Sequence, residues 1–318
     1  MNKNNNIIQE NKISYIVSVY NIEDKVESLY DSSKKVLDRI SNTYEMIFVD
    51  DGSNDKTYKH LQTISKNDKN VKIIRMRSSF GEACALDAGL KYSVGGRIIF
   101  YSGRVKININ DIGKLLKRHS SGFDLVVGWR SPRDDSLLNR MVSFLFNKLV
   151  GVFSGCKMHD INSGIFVSNR YVFDNISYYG NLYNFIPVLS LQQGYNISEE
   201  KVEQVSGSFR SSRNPKEYLR RVLDIVTVFF LTKYSKKPIH FLGFLGTIFI
   251  VLGMMIELYL FFYRIFLFGP IAGRPLLILG ALLLVIGIQM ISIGLIGEMI
   301  IFTHAGDIKE YNIEEVIE

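Results

Sequence analysis

The 318-residue chain has little cysteine, no internal repeat and no low-complexity linker. Its two cysteines, Cys84 and Cys156, show no metal-ligand spacing, which excludes a zinc module and a disulfide framework. In a reducing compartment they read as core thiols. The N-terminal stretch MNKNNNIIQENK is polar and Asn-rich without an apolar signal core, so residues 1–12 read as a frayed tail and not as a targeting peptide.

Charge is also scarce in two long runs near the C-terminus. Phe241 to Tyr263, FLGFLGTIFIVLGMMIELYLFFY, contains a single acidic group, Glu257, and Leu276 to Phe302 is broken only by Gln289, Ser292 and Glu298. Each exceeds the roughly 20 apolar residues that cross a bilayer as a helix. Residues 239–303 therefore read as a transmembrane hairpin. Lys233, Lys236 and Lys237 precede it, whereas the connecting loop holds Arg264 and Arg274. The positive-inside rule then puts the large N-terminal part and the tail 304–318 in the cytoplasm, at the inner membrane. Glu257 and Glu298 are costly in lipid, so they are expected to pair across helices or to lie near an interface.

What is abundant is a strand-helix alternation. ISYIVSVY, YEMIFVD, VKIIRM, RIIFY and FDLVVG read as strands, and the segments 24–40, 55–65, 82–93 and 110–119 between them as helices. That order predicts an α/β domain over residues 13–214, with a mostly parallel sheet and ligands at the carboxyl ends of its strands. Those ends are Tyr20-Asn21, Asp50-Asp51, Arg77-Ser78 and Ser102-Gly103-Arg104. Beyond Trp129, the segments 137–153 and 215–238 mix apolar and basic residues at helical spacing. They read as core-facing helices or as amphipathic helices lying in the membrane interface. Lys+Arg exceed Asp+Glu by 38 to 31, and much of this excess sits near these segments, which points to lipid head groups and not to nucleic acid.

The motif FVDDGSNDKT, with VSVYN before it and SFGEACALDAGLKYSVGGRIIF after it, resembles the GT-A fold of family 2 glycosyltransferases. GFDLVVGWRSPR, MHDINSGIFVSNR, YYGNLYNFIPVL and LDIVTVFFLTKYSKKPIHFLGFLG extend the resemblance to the membrane-bound polyprenyl-phosphate members, similar to dolichyl-phosphate mannose synthase. It implies transfer of a sugar from a nucleotide-diphosphate donor to a lipid-carrier phosphate such as undecaprenyl phosphate, by a protein that often forms homo-oligomers. Tyr20, Asp50, Asp51 and Ser102 match nucleotide-binding positions, since carboxylates accept hydrogen bonds from base N–H and ribose hydroxyls. Asp160 matches an acidic position and reads as an orienting group or base for the acceptor, or as a turn residue before Asn162-Ser163-Gly164. Arg130, Arg210 and Arg213 are the candidates for phosphate and lipid phosphate.

The sequence departs from the family's pattern where that pattern holds its metal. Relatives typically read Asp-x-Asp-Leu-Gln at the fourth strand end and bind Mg²⁺ or Mn²⁺ there. Here the two Asp positions are Ser102 and Arg104, and a guanidinium offers donors only. The family's Asn and Gln around Phe80-Gly81 are Ser79 and Glu82, and a basic residue usual after Asn162-Ser163-Gly164 is Phe166. The expectation is an enzyme without the divalent ion, Arg104 standing in for it as a catalytic cation. The alternatives are an inactive pseudo-glycosyltransferase serving a partner, a metal-free nucleotide-binding module, and a merely structural Arg104 paired with Asp111 or Glu82.

Overall fold

The computed structural model describes residues 9–104, 107–132, 143–144, 147–148, 150–151, 155–176, 180–205, 227, 234, 238–267 and 274–303. The chain divides into two compact units, Met1–Val228 and Phe229–Glu318. Arg210 and Arg213, and most of the expected 137–153 and 215–238 helices, lie outside the described residues, as does the tail.

The first unit is built on a seven-stranded sheet in the order β3-β2-β1-β4-β6-β5-β7. Its strands are β1 (Gln9–Val19), β2 (Tyr44–Asp50), β3 (Val71–Arg75), β4 (Gly95–Ser102), β5 (Leu125–Arg130), β6 (Ile165–Asn169) and β7 (Ile197–Val202). β1 to β4 run parallel, β6 is antiparallel to both its neighbours, and β5 and β7 are parallel. Every residue of β2 is buried, because helices cover both faces and a doubly covered strand must be apolar throughout.

The side-chain alternation of β1 shows the two faces. On one, Ser33 of α1 (Val26–Ile40) donates to the Tyr15 hydroxyl at 3.2 Å. On the other, a Cβ at Gly89 of α3 (Glu82–Tyr92) would lie 2.4 Å from Ile16 Cγ2, so only glycine lets that helix settle on the sheet. α2 (Thr57–Asn67) covers β2 and β3, and α4 (Ile112–His119) covers β5 to β7. Two short helices follow, α5 (Val172–Asn175) and α6 (Ile186–Gln192). The four expected helices and five expected strands all form, but β1 begins at Gln9, so residues 9–12 of the expected frayed tail 1–12 are strand, Gln9 pairing with Gly95. β6 and β7 are additions: β7 reads ISEEKV, a polar edge strand with no apolar alternation to announce it.

Burial corrects one expectation. Cys156 is buried, and burial pushes its thiol up to about 11, but Cys84 is exposed. On α3 the buried positions are Glu82, Ala83, Ala85, Leu86, Gly89 and Leu90, and the helical period turns residue 84 outward.

At the amino end of the sheet, Glu45 is buried and its carboxylate accepts from Ser14 Oγ, Val94 N and Lys72 Nζ, each at 2.7 Å. Burial pushes this carboxyl up, but the hydrogen bonds from Lys72, Val94 and Ser14 together outweigh it and hold it below the usual carboxylate range. A lowered native pKa stabilises the fold above the unfolded-state value of about 4.3, and that stability is lost as pH falls through the native value. Glu45→Gln is expected to flatten the acid limb of a stability-against-pH curve below about pH 4. Trp129, the only tryptophan, supplies the fluorescence to measure it.

The second unit contains α7 (Pro238–Leu267) and α8 (Pro275–Thr303). Each holds a window of high mean hydropathy, 2.3 and 2.7, of which the protein itself buries only 11%. Uncovered apolar helices of this length suit a bilayer and not water. Glycines set their packing. A Cβ at Gly246 or Gly287 would lie 2.6 Å from the other's carbonyl oxygen, and one at Gly253 would lie 2.8 Å from Gly280 O. The falling partner numbers show an antiparallel pair. Glu257 packs across the helices against Gly280, and neither its Oε1 nor Glu298 Oε2 has a hydrogen-bond partner among the described residues.

Candidate active site

The register of β1 with its neighbours decides which residues meet. Val19 pairs with Asp50 and Ser18 with Ser102, so the carboxyl ends of β1, β2 and β4 finish side by side. The strand order turns back at this point, between β1 and β4, which is where open α/β sheets form a crevice.

The loops leaving β1 and β2 are stapled together. Asn21, at φ 49°, donates its backbone N–H to Ser53 Oγ and accepts from Asn54 N, both at 2.9 Å. Ile22 N donates to Thr57 Oγ1 at 2.9 Å. Gly52 has φ 73°, and a Cβ there would lie 2.6 Å from the Ser78 carbonyl carbon. Gly52→Ala is therefore expected to cost at least about 1–2 kcal/mol from the left-handed backbone alone, with the Ser78 clash added. Thermal unfolding of the full-length variant in detergent checks this.

Arg104 lies at the centre of the site. Its Nη2 donates to Asp51 Oδ2 at 2.9 Å, and its guanidinium stands over the Tyr20 ring, 4.8 Å from the centroid. Asp51 is fully buried and also accepts from Ser79 Oγ at 2.7 Å, Phe80 N at 2.7 Å and Gly81 N at 3.1 Å. Beside it Ser102 Oγ donates to Glu82 Oε1 at 2.5 Å. Asp50, equally buried, accepts from Ser53 N at 3.0 Å and faces Arg75 Nε at 3.7 Å. Arg104 thus pairs with neither of the partners anticipated for a structural role: Glu82 holds Ser102, and Asp111 holds Lys114 at 2.7 Å.

Four departures read from the sequence, Ser79, Glu82, Ser102 and Arg104, therefore converge on one network around Asp51 and the β4 end. The donor set does not suit Mg²⁺ or Mn²⁺. Both Asp51 oxygens are occupied by N–H and O–H donors, Glu82 Oε1 is occupied by Ser102, and a guanidinium stands among them. Among the described residues, no three His, Cys, Asp or Glu side chains cluster as a metal site.

Asp160 and Arg130, which the sequence assigned to separate tasks, are joined. Arg130 Nε donates to Asp160 Oδ2 at 2.6 Å and Nη2 to Oδ1 at 2.8 Å, with a further bond to Asn162 O at 3.2 Å. Both are buried, at 4% and 2% side-chain exposure, so this fork locks the end of β5 to the loop before β6. The same loop reaches β4, where Ser102 N donates to Gly164 O at 2.8 Å. Next to the pair, His159 stacks on Trp129 at 4.0 Å, and its Nδ1 and backbone N–H both face Glu199. Sequence reading did not single out His159 or Glu199, since their partnership needs β7, which it missed. Phe166, at the expected basic position, is buried and stacks on Phe100 at 5.4 Å.

A doubly wound sheet with polar groups gathered at its switch point defines a ligand-binding α/β protein, here carried on a chain with two membrane-type helices. Residues 14–177 match the glycosyl transferase family 2 model, more than half of the sequence, and the chain belongs to that family. It is 29% identical to the dodecaprenyl-phosphate galacturonate synthase of Rhizobium johnstonii, covering 95% of this chain and 91% of that one. With the undecaprenyl-phosphate 4-deoxy-4-formamido-L-arabinose transferase of Proteus mirabilis the identity is 25%, over 96% and 94% of the two chains. Among solved structures, glucosyl-3-phosphoglycerate synthase from Mycobacterium tuberculosis, in complex with Mn²⁺, UDP and phosphoglyceric acid, superposes with TM-score 0.54. That match has 16% identity and covers 70% of this chain and 78% of that one, a likeness of fold that confirms the GT-A expectation.

Proposed function

We propose that this protein transfers a sugar from a nucleotide-diphosphate donor to the phosphate of a polyprenyl carrier, undecaprenyl phosphate being the natural candidate. The reading places the reaction at the cytoplasmic face of the inner membrane, with both termini in the cytoplasm. One observation carries it: the similarity to two polyprenyl-phosphate sugar transferases runs through 95% and 96% of the chain, so it takes in the α7–α8 hairpin as well as the sheet.

The chemistry suits the site. An oxygen of the lipid phosphate attacks the anomeric carbon, the bond from that carbon to the donor diphosphate breaks, and its electron pair leaves with the nucleoside diphosphate. The attacking phosphate is already anionic, so the protein's tasks are to position it and to stabilise charge on the leaving group. In this reading Tyr20, Asp50, Asp51 and Ser102 form the nucleotide end of the crevice. The Arg130–Asp160 pair shapes its far wall from β5, and Arg210 and Arg213 remain candidates for the lipid phosphate. The inactive-partner alternative has no support from the relatives named above, which are described as a synthase and a transferase.

The test is transfer of labelled sugar, from a panel of nucleotide sugars, to undecaprenyl phosphate by the full-length protein in proteoliposomes. Labelled lipid is expected; none from any donor overturns the reading. Assembly as a homo-oligomer belongs to the same proposal, and light scattering of the detergent-solubilised chain checks it.

A further inference from the structure

We propose that Arg104 is a built-in cation site for the donor's diphosphate, so that this enzyme takes its donor without a divalent ion. The inference rests on the donor-binding half of the proposed function and identifies the group that meets the leaving diphosphate.

Three observations carry it. The guanidinium is anchored on one side only, by a single N–H to Asp51 and by the Tyr20 ring beneath it. A guanidinium has five N–H donors. Those not spent on Asp51 meet no acceptor among the described residues, and Nε is buried in that state. A buried donor left without an acceptor is unfavourable, so the fold holds this head group by fewer bonds than it can make. The side chain is 27% exposed, so a ligand can reach it. An anchored planar cation with donors to spare, at the switch point of a doubly wound sheet, is suited to receive two phosphate oxygens.

The residues around Arg104 are tied into one hydrogen-bonded network. Ser79 adds a hydroxyl donor to Asp51, and Glu82 supplies the acceptor that Ser102 needs. Each residue that departs from the metal-binding pattern thus has a partner in the same network. Asp51 is a positioning residue here: it is buried and fully hydrogen-bonded, and its remaining task toward a ligand is to aim Arg104. When the anomeric bond breaks, charge grows on the departing diphosphate, and a fixed guanidinium stabilises that charge without reorganising.

The experiment is calorimetry on the full-length protein in detergent, with inorganic pyrophosphate and with UDP as probes, in EDTA and in added Mn²⁺. Binding is expected to be the same in both conditions to within about twofold. Arg104→Ala should weaken it by about tenfold or more, the measure of a lost charge-assisted hydrogen bond. Added guanidinium should restore part of the binding to Arg104→Ala, which separates loss of the cation from misfolding. Arg104→Lys, lacking the fork and the stack, should fall between the two. Binding that EDTA abolishes, wild-type affinity in Arg104→Ala, or no binding of either probe to the wild type overturns the inference. The labelled-sugar assay distinguishes the two proposals. Transfer only with Mn²⁺ keeps the function and sinks the metal-free site, whereas metal-free, Arg104-dependent binding with no transfer from any donor does the reverse.

Discussion

Asp160→Ala is expected to destabilise the sheet domain by about 3–5 kcal/mol, because it leaves the buried Arg130 guanidinium without its counter-charge. Both partners are almost wholly buried and joined by two short bonds. Trp129 adjoins Arg130 in β5, so urea unfolding of the full-length protein followed by its fluorescence reads the change at the site itself. The double variant Arg130→Met/Asp160→Leu should recover most of the loss, since a buried ion pair replaced by well-packed apolar groups is often neutral or better. A catalytic base would behave differently. It would give a variant of wild-type stability with no turnover, and the double replacement would restore nothing. Stable but inactive Asp160→Ala protein would therefore return this residue to the acceptor's chemistry.

Gly287→Leu is expected to separate the membrane helices. Even a single Cβ at this position would lie 2.6 Å from Gly246 O and 2.7 Å from Ile250 Cγ1, and backbone cannot move aside as a flexible side chain can. In lipid no hydrophobic force pushes the helices together, so close backbone approach and van der Waals contact carry the association. Overpacking a tight site costs about 1–3 kcal/mol, and a clash with backbone falls at or above the top of that range. Thermal inactivation and size-exclusion profiles in detergent should both deteriorate. Leu282→Ala, at a position about half exposed, should leave them unchanged. Equal tolerance at both positions would mean that the glycines do not set the packing.

Much of the fold was legible because its periodicities are strong. YEMIFVD gives β2 with the boundaries read from sequence, and the long apolar runs poor in charge give α7 and α8. β6 and β7 were not legible. β7 is a polar edge strand that pairs on one side only, and β6 is antiparallel in a domain whose alternation announces parallel strands. The candidate site was half legible. Motif and strand-end position marked Tyr20, Asp50, Asp51, Ser102 and Arg104, but nothing in the local sequence links Arg104 to Asp51, 53 residues earlier, or Arg130 to Asp160, 30 residues on.

The sequence by itself determined the α/β class, the apolar hairpin and the arginine at the end of the fourth strand, because these depend on residue type and short-range period. Only the tertiary structure decided what that arginine touches. Strand register brings Ser18 beside Ser102 and Val19 beside Asp50, and through them sets Arg104 on Asp51 and over Tyr20. The same long-range pairing joined Asp160 to Arg130. Which polar groups are spent and which are left for a ligand depends on the distances between residues far apart in the chain, and folding alone sets those.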